Sequence, residues 1–316
     1  MDVLSDAVTA MRTGRPHSAR VRHRAPFGRW FPRVAGAGFH VVLQGNCWLV
    51  PAEGDPMGIA EGDIVFLPRG REHGLADSPS TPLDEQTASL TEIRTGDGDE
   101  AADTVMVCGA YLLDQTRPHP LFGELPDVIR LSARAGRYPA LRATLDLLDL
   151  ELERVRPGSE AMLPALLDLL LLHGLRAWLG EQTSAGGWVA ALRDPAVATA
   201  LDALHRQPSR QWTVAKLGSL SGLSRATFAN RFSTLVGRPP LTYLTWWRLT
   251  LAARMLRETD LPLSTVARKI GYASEFAFAH AFKRQYGVPP GRFRRGALAR
   301  NSERIPEPDD GSRWTR

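Results

Sequence analysis

Five residues of the C-terminal third recur fifty positions further on. Phe228, Phe232, Gly237, Pro239 and Pro240 reappear as Phe278, Phe282, Gly287, Pro289 and Pro290, while Leu217, Ser221 and Gly222 return as Val266, Ile270 and Gly271 at an offset of 49. A repeat of this length marks two copies of one supersecondary unit. Each copy reads as helix, turn, helix. In the first, a short helix over about 213–220 meets a turn at Gly222-Leu223, and Ser224 caps a second helix reaching about Val236. In the second, a helix over about 263–270 is followed by Gly271–Ala273 and a helix over Ser274–Tyr286. The phenylalanines, spaced i,i+4, face the core, so Arg225, Ala226, Ala229 and Asn230 are left on the opposite side. Between the copies, Pro239-Pro240 opens a helix predicted to run to about Thr259, roughly 20 residues and about 30 Å long. That length is close to the ~34 Å turn of B-DNA, so the two outer faces can enter successive major grooves. A duplicated helical bundle that binds no DNA is the other reading of the repeat.

Charge is divided along the chain. Residues 1–190 hold 18 Arg against 25 Asp+Glu, a net of −7, whereas residues 191–316 hold 21 Lys+Arg against 9 Asp+Glu, a net of +12. The basic half is where a polyanion binds. Upstream, the runs at 40–50, 62–68 and 104–113, set off by Gly45-Asn46 and Gly54-Asp55, read as strands of a small antiparallel barrel or sandwich, and Ser78 to Asp103 as a long solvated loop. At about 138 the period becomes helical: Leu141, Leu145, Leu148, Leu152 and Val155 form one stripe, Pro157-Gly158 ends it, and a leucine-rich helix follows from about Ser159 to Gly180. This hairpin either pairs with a second copy of the chain or packs against the strands. Its apolar stretch, Leu163 to Leu179, is broken by Asp168, His173 and Arg176, so no membrane span is expected. The start has no basic segment ahead of an apolar one, and the expected place is the cytoplasm.

Residues 194–295, down to GYASEFAFAHAFKRQYGVPPGRFR at 271–294, resemble the DNA-binding domain of the AraC/XylS family of bacterial transcription regulators. The resemblance implies double-stranded DNA as partner, with base contacts from Arg225, Ala226, Ala229 and Asn230 in the first reading helix and from Glu275, Phe276, Ala279 and His280 in the second. The family commonly has arginine where Asn230 and His280 stand, so other bases are expected there: Asn suits adenine and His280 can donate to guanine. Arg231, Lys283, Arg284, Arg292, Arg294 and Arg295 are placed for phosphate. The resemblance also leaves RNA polymerase open as a partner, and either activation or repression.

Gly62, Pro68, Gly70 and His73 fit the second cupin motif, and FHVVLQGNCWLV, GDIVFLPRGREH and VCGAYLL resemble the cupin-like sensor half of the same family. The implied domain senses an unknown small molecule or oxidant, with His40, Trp48 and His73 as pocket residues. A cupin metal set needs a further histidine and a glutamate beside His40, so no metal, cofactor or catalytic residue is expected. Cys47 and Cys108 lie in predicted strands and open the alternative of thiol-based redox sensing. A cupin-type enzyme fused to a DNA-binding module is the alternative from another class. The expected architecture is therefore α+β and multidomain: an antiparallel cupin-like barrel over 1–135, a helical linker or dimerisation hairpin over 136–185, an all-α domain with two helix-turn-helix units over 190–296, and a flexible tail over 297–316. The whole reads as a non-enzymatic regulator acting as a homodimer.

Overall fold

The computed structural model describes residues 2–84, 102–114, 118–132, 136–154, 156–183 and 186–302. The chain divides into two compact units: Ala7–Val189, and Ala190–Arg316 together with Met1–Asp6. It opens on helix α1 (Val3–Met11), which the sequence reading did not anticipate. Strands β1 (His17–His23), β2 (Gly28–Phe31), β3 (Gly36–Gln44), β4 (Asn46–Pro51), β5 (Met57–Ala60), β6 (Asp63–Leu67), β7 (His73–Ala76) and β8 (Thr104–Leu112) follow. After the short helix α2 (Pro120–Gly123) comes strand β9 (Ile129–Ser132). They form two antiparallel sheets, β1-β8-β3-β6-β9 and β2-β7-β4-β5. The apolar run at 40–50 breaks at Gly45, so that β3 and β4 belong to different sheets. Alternation along the strands puts Val42, Cys47, Leu49, Val65, Met106 and Cys108 into one buried core. Most of the loop predicted at 78–103 falls on residues 85–101, outside the described ones.

Helices α3 (Pro139–Glu153) and α4 (Ser159–Glu181) form the predicted hairpin. Leu141, Leu145, Leu148 and Leu152 are buried as the stripe requires; Val155 lies outside the described residues. The hairpin packs on the five-stranded sheet. Tyr111 donates to the Leu167 carbonyl at 2.8 Å, Arg20 pairs with Asp149 at 2.8 Å, and Arg12 pairs with Asp168. Gly174 lets α4 approach the sheet: a Cβ there would lie 2.4 Å from the Phe66 ring. By length and composition α4 qualifies as a membrane span, contrary to the sequence reading, but Leu167, Leu170, Leu171 and Leu175 are spent on this packing. The other side of the hairpin keeps Leu147, Leu150, Met162 and Leu169 about half exposed. Helix α5 (Gly187–Arg193), also unanticipated, leads into the second unit.

That unit is helical: α6 (Pro195–Arg206), α7 (Val214–Leu220), α8 (Arg225–Val236), α9 (Pro240–Glu258), α10 (Leu263–Lys269), α11 (Glu275–Tyr286) and α12 (Pro290–Ser302). Local chemistry fixes these ends. The side chains of Asp194, Thr213, Ser224 and Ser274 accept from backbone N–H groups in the first turns of α6, α7, α8 and α11. Gly237 and Gly287, the repeated pair, end α8 and α11 at φ 76° and 77°, a left-handed conformation costly for other residues. Prolines open α9 and α12. Helix α12 runs to Ser302, past the boundary at 296, so the tail expected from 297 begins in helix; residues 303–316 lie outside the described ones.

Candidate nucleic-acid interface and sensor cavity

Helices α8 and α11 are anchored by identical means. Phe228 and Phe232, and fifty residues on Phe278 and Phe282, have no solvent exposure, and in each pair the ring centroids lie 5.6 Å apart. In the second unit the anchor extends to Tyr286, stacked on Phe282 at 4.5 Å, and to Phe293 at 5.3 Å. With that side of each helix buried, the other faces water. Arg225, Ala226 and Asn230 are exposed and Ala229 is half-buried; Glu275, Phe276 and His280 are exposed and Ala279 is half-buried. Phe276 is 84% exposed, more than any other large apolar side chain among the described residues. A bare aromatic ring on a helix tip costs hydration free energy and is suited to an apolar partner such as a thymine methyl. Helix α9, with 19 residues and a length of about 28 Å, joins the two units, and its Leu249, Ala252, Ala253 and Leu256 pack into the core of the second.

The basic side chains divide by what they already hold. Lys283, Arg284, Arg292 and Arg295 are exposed. Arg231 pairs with Asp194, its Nε donating at 2.6 Å to the carboxylate that also caps α6. Burial, the largest single influence, pushes the Asp194 carboxyl up, but the Val197 N–H, the Arg231 guanidinium and the Ala196 N–H together hold it below the ordinary carboxylate range. Arg294 turns inward and donates through Nη2 to the Leu261 carbonyl at 2.5 Å. It ties α12 to the loop after α9, a role that sequence reasoning missed because a backbone carbonyl leaves no trace in composition. Arg248 of α9, also missed, donates to two carbonyls of the loop between α6 and α7.

In the other unit a cavity of about 320 Å³ is lined by Arg33, Arg69, Arg71, Glu72, His73 and Asp127, with Leu67 and Val128 as apolar wall. Arg69 and Arg71 share the Asp127 carboxylate. Of the three predicted pocket residues, His73 lines the cavity and His40 lies behind it, with their Nε2 atoms 2.6 Å apart. Trp48 is elsewhere, its ring over Gly58, because on β4 Cys47 and Leu49 take the inward positions.

The hydrogen bonds fix every proton in this cluster. His73 Nδ1 lies 2.8 Å from the Arg71 carbonyl, which can only accept, so His73 carries its proton on Nδ1. Its Nε2 then accepts from His40 Nε2–H, and His40 Nδ1 accepts from the Cys108 thiol at 3.1 Å. Both imidazoles are neutral: burial lowers His73 to about 4, partly opposed by the Arg71 carbonyl, and burial together with His73 pushes His40 well below 6.5. A tetrahedral zinc with ordinary zinc–nitrogen distances of about 2.0–2.1 Å holds its nitrogens about 3.3 Å apart, so the 2.6 Å separation is that of a hydrogen bond and not of two zinc ligands. Among the described residues no group of three or more His, Cys, Asp or Glu side chains is arranged to hold a metal. Burial raises the Cys47 thiol to about 12 and the Cys108 thiol further, so neither is a thiolate at neutral pH, and Cys47 points at Met106 Sδ, 3.7 Å away.

Acidification therefore destabilises this unit. Above pH 6.5 the histidines are neutral whether folded or unfolded. Between 6.5 and about 4 the unfolded chain takes up protons that the folded one refuses, so stability declines as pH falls through that window. For His73 the loss is about 2–3 kcal/mol by pH 4.5. Chemical denaturation of the whole chain at pH 7 and 4.5 measures it, and replacing His40 and His73 with Gln is expected to reduce the decline, leaving the part that belongs to His23, which burial likewise lowers to about 4. A flat profile in the unaltered protein would contradict the assignment.

Comparison with known proteins gives two family matches: a cupin domain over residues 2–180 and a helix-turn-helix domain over residues 217–296. A putative AraC-like transcription regulator of Streptomyces lividans is 37% identical over 93% of this chain and 98% of its own length. The HTH-type transcriptional regulator AlkR of Acinetobacter baylyi is 30% identical over 81% of this chain and 86% of its own. Among solved structures, the DNA-binding domain of AdpA in complex with a target DNA is 32% identical, covering 35% of this chain and 98% of that one, with a TM-score of 0.33.

Proposed function

The chain belongs to the AraC-type helix-turn-helix transcription regulators with a cupin N-terminal domain, and from that membership we propose that it reads two successive major grooves of double-stranded DNA under control of a signal received in the cupin unit. The observation that carries this reading is the pair of equivalent, solvent-facing helix tips, Arg225 to Asn230 and Glu275 to His280, on the helices that precede and follow the 19-residue α9 in the chain. Arg225 is suited to guanine, Asn230 to adenine, Glu275 to the cytosine amino group and Phe276 to a thymine methyl. Lys283, Arg284, Arg292 and Arg295 supply sequence-independent phosphate contacts. The cupin unit binds without turnover, and the cytoplasm is its place of action. Protection mapping on the DNA upstream of the chain's own coding region is expected to give two protected stretches about one helical turn apart. A single protected stretch, or none at any salt concentration, would overturn the proposal.

The regulator acts as a homodimer through the outer side of the hairpin. Leu147 (52% exposed), Leu150 (50%), Met162 (49%) and Leu169 (45%) lie on the side of the two helices that the sheet leaves uncovered. Single-sign charge placed there opposes pairing without touching the packed side. Replacing Leu147 and Leu150 together with Glu is expected to halve the mass measured by light scattering at micromolar concentration, to keep the parent's helical circular dichroism, and to make the melting temperature lower and independent of protein concentration. Unchanged mass, with the parent dimeric, would move the interface elsewhere.

A further inference from the structure

Helix α9 is not the sole tie between the two reading units. The loop joining α6 to α7, residues 207–213, lies against α9 and against the turn of the second unit. Arg248, half-buried midway along α9, donates from Nε to the Pro208 carbonyl at 2.6 Å and from Nη2 to the Arg210 carbonyl at 2.9 Å. Gln211 donates through Nε2 to the Gly271 carbonyl at 3.3 Å. Gly271 sits at φ +87°, and a Cβ on it would stand 2.6 Å from the Ser209 carbonyl oxygen and 2.7 Å from its Cα. The loop therefore rests directly on the backbone of the second turn, at a contact that no side chain can enter. It is also stiff in itself: Trp212 Nε1 donates to the Gln207 carbonyl at 3.0 Å, the Arg210 guanidinium covers the Trp212 ring at 4.3 Å, and Lys216 donates to the Gln211 carbonyl at 3.3 Å.

The mechanical consequence follows from the number of supports. Each unit is seated on its own stretch of α9, the first through Tyr243 and Trp247 and the second through Leu249, Ala253 and Leu256, and two bodies seated on one helix move relative to each other when that helix bends. A second contact, from the first unit's loop to the middle of the helix and on to the second unit's turn, closes a ring and removes that freedom. Gly271 lies three residues before Ser274, the residue that caps α11, so the contact acts on the N-terminal end of the second reading helix, the end that carries Glu275 and Phe276.

We propose that Arg248, Gln211 and Gly271 form a clamp that fixes the separation at which the two reading helices engage DNA, so that the regulator selects the spacing between two base blocks as well as their sequence. Arg248 is a positioning residue and touches no base. The guanidinium is suited to the task because its planar fork reaches two carbonyls at once, which a lysine ammonium does not reproduce. The proposal rests on the two-groove reading above, and its test separates the two.

The full-length protein is used to select from a randomised duplex library, and the informative positions of the bound pool are read. The parent chain is expected to return two blocks at one separation. If it returns one block or none, the two-groove reading fails, and the clamp with it. Given two blocks, Arg248→Met is expected to retain both sequences but to spread their separation over about two or three base pairs. Its affinity for a duplex of the selected spacing should drop about tenfold, one decade being about 1.4 kcal/mol, while affinity for a duplex carrying a single block stays within about twofold. Arg248→Lys, which keeps the charge but has one donor nitrogen in place of the two that reach Pro208 and Arg210, is expected to fall between. Gln211→Ala, at an exposed site, should broaden the spacing less and leave the melting temperature unchanged; it decides the matter together with Arg248→Lys if Arg248→Met does not fold. Unaltered spacing in the folded variants, or equal losses on one-block and two-block duplexes, would overturn the clamp.

Discussion

Raising the salt concentration from about 50 to about 200 mM weakens operator binding by the full chain about a thousandfold, through release of counterions from about six neutralised phosphates. The basis is the net +12 of residues 191–316 and the exposure of Lys283, Arg284, Arg292 and Arg295, beside which Arg225 and Arg268 also stand exposed. Fluorescence anisotropy across that range measures the slope, expected near −5 on logarithmic axes. Arg292→Ala should lower its magnitude by about one and leave the preferred sequence unchanged. Arg294→Ala should act differently, because that guanidinium is committed to the Leu261 carbonyl: the slope stays and the melting temperature drops. A slope near −1 for the parent would mean that the basic face does not lie along the duplex.

Phe282→Ala unfolds the second reading unit. Phe282 is fully buried in a cluster with Leu249, Val266, Ile270 and Phe278, and its ring meets Tyr286 and Phe293. Truncating such a ring costs about 3–5 kcal/mol, a large share of the ~5–15 kcal/mol that holds a typical domain together. The expected result is a lower or lost helical transition by circular dichroism and a protected region reduced to the first block. Phe276→Ala is the informative companion. Six residues earlier on the same helix and 84% exposed, that ring supports no core. Its removal should leave melting unchanged while binding to the preferred duplex weakens by about 1–3 kcal/mol. If Phe276→Ala melts like Phe282→Ala, or Phe282→Ala melts like the parent, the inside and outside of α11 have been misassigned.

Helices α7 to α11 were legible in the sequence because their determinants are local, whereas α6 and α12, which flank the repeat, were not foreseen. Caps lie within three residues of the groups they satisfy, i,i+4 phenylalanines define the buried side, and a repeat at offset 50 lets each copy check the other. The exposed tips follow from the same arithmetic. The cupin unit was legible only as a class. Its sheet order, β1-β8-β3-β6-β9, brings residues 17–23 beside 104–112, and such pairing is specified by the packing of whole faces. The motif singled out His40 and His73, yet nothing local says that their ring nitrogens meet or that Cys108 completes the chain. The resemblance implied Trp48 as a pocket residue, while alternation with the buried Cys47 and Leu49 puts it on the opposite side of β4. Helix α1 escaped because it is short and carries no repeat, and the contacts around Arg248 because they depend on carbonyl oxygens, which every residue has.

The two tips are equivalent in position and unlike in chemistry: Arg225 answers to Glu275, Ala226 to Phe276 and Asn230 to His280. Each chain is thus an arrow. Turning its target end for end presents a cationic tip with what an acidic, aromatic one should meet, so a reversed box is a different ligand rather than the same one approached from behind. A seated chain accordingly has a leading and a trailing end, and whichever neighbour on the promoter it touches, it touches from a direction written into the DNA.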